Sequence, residues 1–555
     1  MHLFRSRVRP QNLTEHIHER RTFLKNILLP CLLFSSLTGI FTGALVFSFN
    51  LISTYVVHQS SEMYHWVREN PQYIPLLILG VLILGLVAGW MLKIFPNARG
   101  GSLPVAVAHL RGHIAFRWIP NIVFVYFSSM ITYLVGVPLG NEAPCVQMGA
   151  AAGKGTVSLF AKKHRAWERY VMTGGACAGF AVTTGAPLSG IFFALEEAHR
   201  RFTPMIIMVA TMSTAAAVLT SQWLCKLFDV ELTIITVALK NTLGMQDIWA
   251  VIILALMCGL FAAIFSKIYE KIRHYVMKIR NRVHFIFRLE AVFLIVAVCG
   301  LISGNFINDG HSLLHEMVHQ EHLWQFLLLY LFVRAVLVIF SNSVGATGGL
   351  FVPTLVFGAM LGSICAQILV SLGLLSPESA PIMLVVGMAA YKGASMRTPI
   401  TAIVFAIEVL SGLSNAPFII LAVAVSYLTV ELLGAEPVME FVYESRLEQE
   451  HEGKERCIYD LSLTVQADAF VIGKEVRDIL WPPSCVVVSV SNSPEARTHG
   501  GLHEGDVLHI HYRTAHPEYT REKLEDLVGK QSEVKPSDCV CEKIEEEQEL
   551  QKSKI

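Results

Sequence analysis

Two carboxylates stand where a carboxylate is costly. Glu142 lies in Gly140-Asn141-Glu142-Ala143-Pro144-Cys145-Val146-Gln147-Met148-Gly149, and Glu197 closes the apolar segment Pro187–Glu197. Ionisable groups at membrane depth default to function. The Gly and Pro residues around Glu142 point to a helix break, and a helix N-terminus offers free N–H donors to an anion. A carboxylate placed there can occupy an anion site itself and be displaced when it is protonated. The competing reading of Glu142 is a loop residue open to solvent. His199-Arg200-Arg201 follows Glu197, which suits a cytoplasmic helix exit. A surface pair with Arg200 or Arg201 is the competing reading there. No Ser/His or metal-ligand constellation accompanies these groups, since His16, His18, His164, His199, His311 and His315 fall in loops and flanks. An intramembrane hydrolase would need such a constellation, so no catalytic residue, metal or cofactor is expected.

The elements that must hold these carboxylates follow from composition. The 555 residues are 53% apolar and only 16% charged, whereas ordinary globular chains carry about 25% charge. Too few charges remain to cover a water-soluble surface of this size, so the chain is an integral membrane protein in contact with lipid. Disorder and collagen are excluded, and so is a disulfide scaffold, because 11 cysteines is near background. Most cysteines sit singly in apolar runs and read as inert. The 44 basic and 44 acidic residues balance. Residues 1–25 nevertheless carry Arg5, Arg7, Arg9, Arg20, Arg21 and Lys25 against Glu15 and Glu19, and such basic flanks stay cytoplasmic. No basic patch is interleaved with aromatics, so no nucleic acid is expected.

Apolar runs of membrane length recur, but several are short or broken at Gly136-Val137-Pro138, Gly185-Ala186-Pro187, Gly348-Gly349 and Pro353. Broken helices are tolerated in a bilayer only against protein or a water-filled cavity. That is the pattern of a transporter or channel. Gly185–Glu197 echoes Arg397–Val409, and the segment ending at Pro144 echoes the one ending at Pro353. The two offsets nearly agree. They divide the membrane part, residues 26–443, into repeats of about 26–230 and 245–443, with a ligand site at their interface. Residues 444–459 read as a charged linker, helical at first, and 460–530 as a small soluble domain. Within it Glu475–Leu480 reads as a helical start, and Cys485–Val490 and Val507–Tyr512 as strands. Residues 531–555 read as a disordered tail. The expected fold class is an all-α polytopic membrane protein of broken, tilted helices with a soluble α+β C-terminal domain.

Gly140–Pro144 resembles the Gly-Lys/Arg-Glu-Gly-Pro motif of the CLC family of chloride channels and proton-coupled chloride transporters. Gly349-Leu350-Phe351-Val352-Pro353 resembles its Gly-x-Phe-x-Pro motif, and Gly190–Glu197 its Gly-x-x-Phe-x-x-Glu-Glu element. The resemblance implies an inverted-repeat homodimer in the cell membrane, with both termini cytoplasmic and a separate anion pathway in each subunit. It implies Glu142 as the external gating glutamate and Glu197 as the internal proton-transfer glutamate. Leu350 and Phe351, after Gly349, would offer backbone N–H groups to the anion. The function implied is proton-coupled chloride antiport. The alternatives are a passive voltage- or pH-gated chloride channel and a fluoride/proton antiporter of the same family. Two positions depart from the pattern. Gly101 stands where the anion-contacting serine belongs, with Ser102 one place later, and Met439 replaces the pore tyrosine. A thioether donates no hydrogen bond. Gly501-Leu502-x-x-Gly505-Asp506 resembles the TrkA-C (RCK C-terminal) module, which implies a possible small ligand at the C-terminal domain.

Overall fold

The structure is a computed structural model. It describes residues 27–100, 103–160, 164–230, 242–280, 282–318, 322–411, 413–451, 456–467, 469–491, 501–514, 516–531 and 540–542. The first half of the membrane body runs α1 (Leu29–Glu69), α2 (Ile74–Ile94), α3 (Leu103–Arg111), α4 (Trp118–Val135), α5 (Glu142–Phe160), α6 (Glu168–Thr184), α7 (Pro187–Phe193) and α8 (Pro204–Phe228). The second half runs α9 (Ile248–Ile279), α10 (Phe285–Ile302), α11 (His311–Val318), α12 (Trp324–Val344), α13 (Phe351–Ser371), α14 (Ala380–Met396), α15 (Pro399–Phe405) and α16 (Ala416–Leu432). α17 (Val438–His451) leads out.

Among the described residues, nine helices are long and apolar enough to cross a membrane. Their outward faces carry Leu76, Trp90, Phe127, Leu219, Trp223 and Phe332, all well exposed, as a lipid-facing surface requires. α6 and α14 are buried nearly all round and form the inner layer. Small residues let that layer pack backbone to backbone. A Cβ on Gly149 of α5 would stand 2.1 Å from the Gly175 carbonyl oxygen of α6, and one on Gly358 of α13 would stand 2.3 Å from the Gly387 carbonyl oxygen of α14.

The repeat is visible as paired local structure. Gly185 ends α6 at φ +67, and Arg397 ends α14 at φ +57. A left-handed arginine is strained. Its guanidinium holds it there, donating to the Ala435 carbonyl at 2.6 Å and pairing with Glu431 at 3.0 Å. The helices that follow, α7 and α15, each run into a π-helical turn, Ala194–Ala198 and Ala406–Ser411. Each turn supplies a carboxylate to the other repeat. The Ile400 and Thr401 N–H groups donate to Glu196 at 2.9 and 2.7 Å, and the Leu188 and Ser189 N–H groups donate to Glu408 at 2.9 and 3.0 Å. Such reciprocity is the mark of a two-fold relation between the repeats.

Four strands form the C-terminal sheet, in the order β2 (Cys485–Ser491), β3 (Val507–Thr514), β1 (Arg456–Thr464), β4 (Val540–Glu542), all antiparallel. α18 (Pro517–Val528) packs Leu524, Leu527 and Val528 with Leu461, Leu463, Leu508 and Ile510. The Asp506 carboxylate accepts from the His503 N–H at 2.8 Å and so closes the turn of the Gly501–Asp506 motif. The domain docks on the start of α6. Arg169 donates to the Leu480 and Trp481 carbonyls at 3.0 and 2.7 Å, and the Leu480 N–H donates to the Tyr170 hydroxyl at 2.9 Å.

Three sequence expectations change here. The charged linker 444–459 is helical at first, to His451, as expected, but from Arg456 it is already strand β1, in register with β3. Glu475–Leu480 forms only a single 3-10 turn, Val476–Asp478, because Pro482-Pro483 follow and the carbonyls of Leu480 and Trp481 serve Arg169. Val540–Glu542, in the supposed disordered tail, pairs with β1 and covers an edge that would otherwise be open. Residues 1–25 lie outside the described residues.

Glu196→Ala and Glu408→Ala should each destabilise the protein by roughly 2 kcal/mol or more, since each change removes charge-assisted acceptors from helix N–H donors. Glutamine, which keeps one acceptor oxygen, should cost less. Thermal unfolding in detergent measures this, and an unchanged Tm in Glu408→Ala would show that α7 needs no cap from the other repeat.

Candidate functional site

Two glycines join the broken segments. The Gly140 N–H donates to the Gly349 carbonyl at 2.9 Å and the Gly349 N–H to the Gly140 carbonyl at 2.7 Å. This exchange sets the start of α5 beside the start of α13. Both glycines are closely packed against residues of α5. A Cβ on Gly140 would lie 2.4 Å from Glu142 Oε2, and one on Gly349 would lie 3.1 Å from the Ala143 Cβ. The left-handed glycines Gly136 (φ +86) and Gly345 (φ +105) turn the chain into the two segments.

Glu142 opens α5 and is 3% exposed. Its Oε2 is buried and has no partner among the described residues. His311 and Asp309, which pair with each other at 2.7 Å, are among the charged side chains around it. Glu142 is therefore a buried carboxylate held at two converging helix starts, not a loop residue.

Next to Ala143 is a cavity of about 10 Å³ lined by Leu103, Ala143, Glu197, Leu350, Phe351, Lys392, Met396 and Met439. That is room for the centre of one water-sized particle. Glu197 lies in the π-helical turn after α7 and is 8% exposed, with Oε1 buried and unpartnered among the described residues. π-turns often mark functional positions because they re-aim a side chain. The surface-pair reading of Glu197 does not hold. Glu197 is buried and not at the surface, and Arg200 pairs instead with Glu440 at 2.6 Å.

Leu350, Phe351, Met439 and Glu197 thus share one cavity, Glu142 is next to it in sequence through Ala143, and Gly349 forms its backbone clasp. Gly101 and Ser102 lie outside the described residues. Their neighbour Leu103 lines the cavity, and the Gly100 N–H donates to the Gly345 carbonyl at 2.9 Å. Sequence reasoning missed Lys392. This lysine is 1% exposed, donates to Thr398 Oγ1 at 3.1 Å, and stands 4.9 Å from the Phe351 ring centre. The carboxylates acting on it are Glu197, Glu196 and Glu142. An ionisable residue in an apolar run was the available signal. No group of three metal-ligating side chains occurs among the described residues.

The family described as "Voltage gated chloride channel" matches residues 80–431. A protein of Cronobacter sakazakii described as "H(+)/Cl(-) exchange transporter ClcA" is 26% identical over 417 residues, covering 74% of this chain and 88% of its own. A protein of the same description from Vibrio parahaemolyticus is 26% identical over 419 residues, covering 73% and 88%. Among solved structures, a slow cyanobacterial Cl-/H+ antiporter is similar with a TM-score of 0.68 and 21% identity, over 76% of this chain and 99% of the other. A CLC-type fluoride/proton antiporter is similar with a TM-score of 0.61 and 21% identity, over 75% and 98%. These two show a common fold.

Lys392→Met keeps the length and apolar stem of the side chain and removes its charge. Chloride binding by the purified protein, followed by titration calorimetry, should weaken about tenfold or more, the scale of one lost charge-assisted contact. An unchanged affinity would leave Lys392 only a packing role.

Proposed function

Because the chain belongs to the voltage-gated chloride channel family, we propose that it exchanges chloride for protons. The observation that carries this reading is the pair of buried, incompletely partnered carboxylates: Glu197, which lines the cavity together with Lys392, and Glu142, next in sequence to Ala143 on the same wall. A passive channel needs one gate. A second buried carboxylate with no partner for Oε1 is of use only if it carries a proton.

The chemistry divides between them. Ionised, Glu142 competes with chloride for the N–H groups at the starts of α5 and α13. Protonated, it loses that attraction and yields the place to an anion. The proton it takes up must leave by another route, because the anion then fills the path. Glu197, on the wall of the same cavity, receives it and passes it toward the cytoplasm. Lys392 offsets the negative charge of the anion and of Glu197, which neither Met439 nor the apolar wall can do. The backbone N–H groups of Leu350 and Phe351 supply neutral donors. Ser102 and Gly101 complete the anion path in this reading.

The protein works as a homodimer in the cell membrane, residues 26–443 forming the transport domain and both termini facing the cytoplasm. The soluble domain, of TrkA-C type, regulates transport and forms no part of the pore. A second reading, fluoride as the exchanged anion, is favoured by Met439, which removes a hydroxyl donor from the site, and by the fold shared with a fluoride/proton antiporter. Proteoliposomes loaded with chloride or fluoride and read with ion-selective and pH electrodes decide between the two. Chloride movement that drives no proton movement in the parent protein would sink the exchange reading.

Glu142→Gln should mimic permanent protonation, so that anion flux persists or rises while proton movement driven by an anion gradient disappears. Glu197→Gln should keep anion flux and lose proton movement, since a titratable carrier is removed without closing the anion path. In the same vesicles, retained coupling in Glu197→Gln would require the proton to enter elsewhere.

A further inference from the structure

Glu142 is 3% exposed and its Oε2 is buried, so a proton reaches it only through a neighbouring group or an ordered water. The face it serves is the one opposite the soluble domain. Lys154, near the far end of α5, shares Glu168 with Lys523 of that domain. α5 is 19 residues long, which sets Glu142 about 28 Å from that end. The loop that leads into α11 brings an acid–base pair to this outer side. His311 Nδ1 lies 2.7 Å from Asp309 Oδ2, and the His311 N–H donates to Asp309 Oδ1 at 3.2 Å. The two side chains are 28% and 19% exposed, so they meet solvent where Glu142 does not.

The loop is tied down on three sides. Buried Arg334 of α12 donates to the carbonyls of Asn305, Ile307 and Asn308 at 3.0, 2.9 and 2.7 Å. The Asn308 N–H donates to the Gly136 carbonyl at 2.8 Å, and its side chain meets Ser60 and Ser61 of α1. α13 then fixes its place relative to Glu142. A Cβ on Gly140 would lie 3.2 Å from the Val352 Cβ, and one on Gly310 would lie 2.9 Å from a Val356 methyl group. Val352 and Val356 are one turn apart on one helix face, about 5–6 Å between Cβ atoms. Glu142 is two residues from Gly140 and His311 is one from Gly310, so carboxyl group and ring are neighbours along that face. The ring has Asp309 on its own loop and Glu142 on α5 as charged neighbours. Arg334 acts on Asp309, the Tyr133 hydroxyl of α4 donates to the Gly140 carbonyl at 3.0 Å, and His315 follows one turn along α11.

We propose that His311 is the group through which Glu142 receives its proton from the outer solution, with Asp309 as the positioning residue that holds the ring. The role rests on the exchange reading. Asp309 occupies Nδ1, fixes the ring and favours its charged form, which leaves the Nε2 proton as the one to be passed on. The imidazolium gives that proton to the Glu142 carboxylate through an intervening water, a distance open to general acid catalysis. A cation and a carboxylate become two neutral groups, and the neutral ring then takes a proton from the outer solution.

Chloride-driven proton movement is measured on the full-length protein in proteoliposomes with equal pH on both sides, so that the orientation of the protein does not matter. His311→Gln should slow exchange about tenfold or more at about pH 8, within what a positioned acid supplies. At about pH 5 the variant should come within about twofold of the parent, because protons are then plentiful enough to reach a carboxyl group without a relay. Asp309→Asn should act in the same direction, and it carries the test should His311→Gln fold poorly. In a Glu142→Gln background, where no proton is awaited, His311→Gln should leave chloride flux unchanged, which lost packing would not do. The proposal is overturned if the variants exchange like the parent at about pH 8, or if they lose the same factor at about pH 5. It is also overturned if His311→Gln slows chloride flux as much in the Glu142→Gln background as in the parent. A parent in which chloride drives no proton movement would remove the exchange reading itself, an outcome distinct from these.

Discussion

A helix that stops inside a bilayer leaves N–H groups with no water to accept them, and the whole membrane body is arranged around answering that requirement. The answer is an exchange between repeats. Glu196 accepts the starting N–H groups of α15, and Glu408 accepts those of α7. Because each repeat completes the other, neither set of broken helices is satisfied alone, and the interface between them is fixed in register. The Gly140–Gly349 backbone exchange does the same for α5 and α13. That exchange leaves the starts of α5 and α13, at Glu142 and at Leu350–Phe351, side by side.

Glu196 and Glu197 are adjacent residues with unlike surroundings, and the π-turn explains how. The wider turn sends Glu196 across to α15 and Glu197 into the cavity that Lys392 and Met439 also line. One carboxylate has both oxygens spent on structure, while the other keeps Oε1 without a partner. In the second repeat the matching positions are Glu408, which caps, and Val409, which carries no proton. The site is therefore asymmetric within a symmetric frame. Lys392 sharpens the asymmetry, because it lines the same cavity as Glu197 from within α14.

Much of this could be read from the residues. Glu142 and Glu197 were legible because a carboxylate beside Gly and Pro in an apolar run has few uses, and the echo between 185–197 and 397–409 announced the repeat. Its meaning was not legible. That Glu196 and Glu408 cap each other's helices is a contact over more than 200 residues, and no local pattern encodes it. Lys392 was not legible, because a lone charge after an apolar run reads as the end of that run, whereas α14 continues to Met396. β1 was hidden within a charged segment. Its inward residues Leu461 and Leu463 alternate with exposed Asp460 and Ser462, but the flanking charges of α17 masked so short a period. α1 runs on to Glu69, well past its apolar stretch, until Pro71 follows the Asn70 cap.

α6 joins the docking surface of the soluble domain to the turn that leads to Glu197. Its first turn carries Arg169 and Tyr170, the anchors of the soluble domain. Its middle lies against α5 so closely that Gly149 and Gly175 meet backbone to backbone. Its last residue hands the chain through left-handed Gly185 to α7 and the Glu197 turn. A packed interior passes strain along because it has no slack to absorb it. With no side chain between α5 and α6 at that contact, a shift of α6 along its axis cannot be taken up by rotamers. It must instead move Glu142's helix, Glu197's turn, or both. The soluble domain therefore meets this helix at its start, at the opposite end from the turn that carries Glu197.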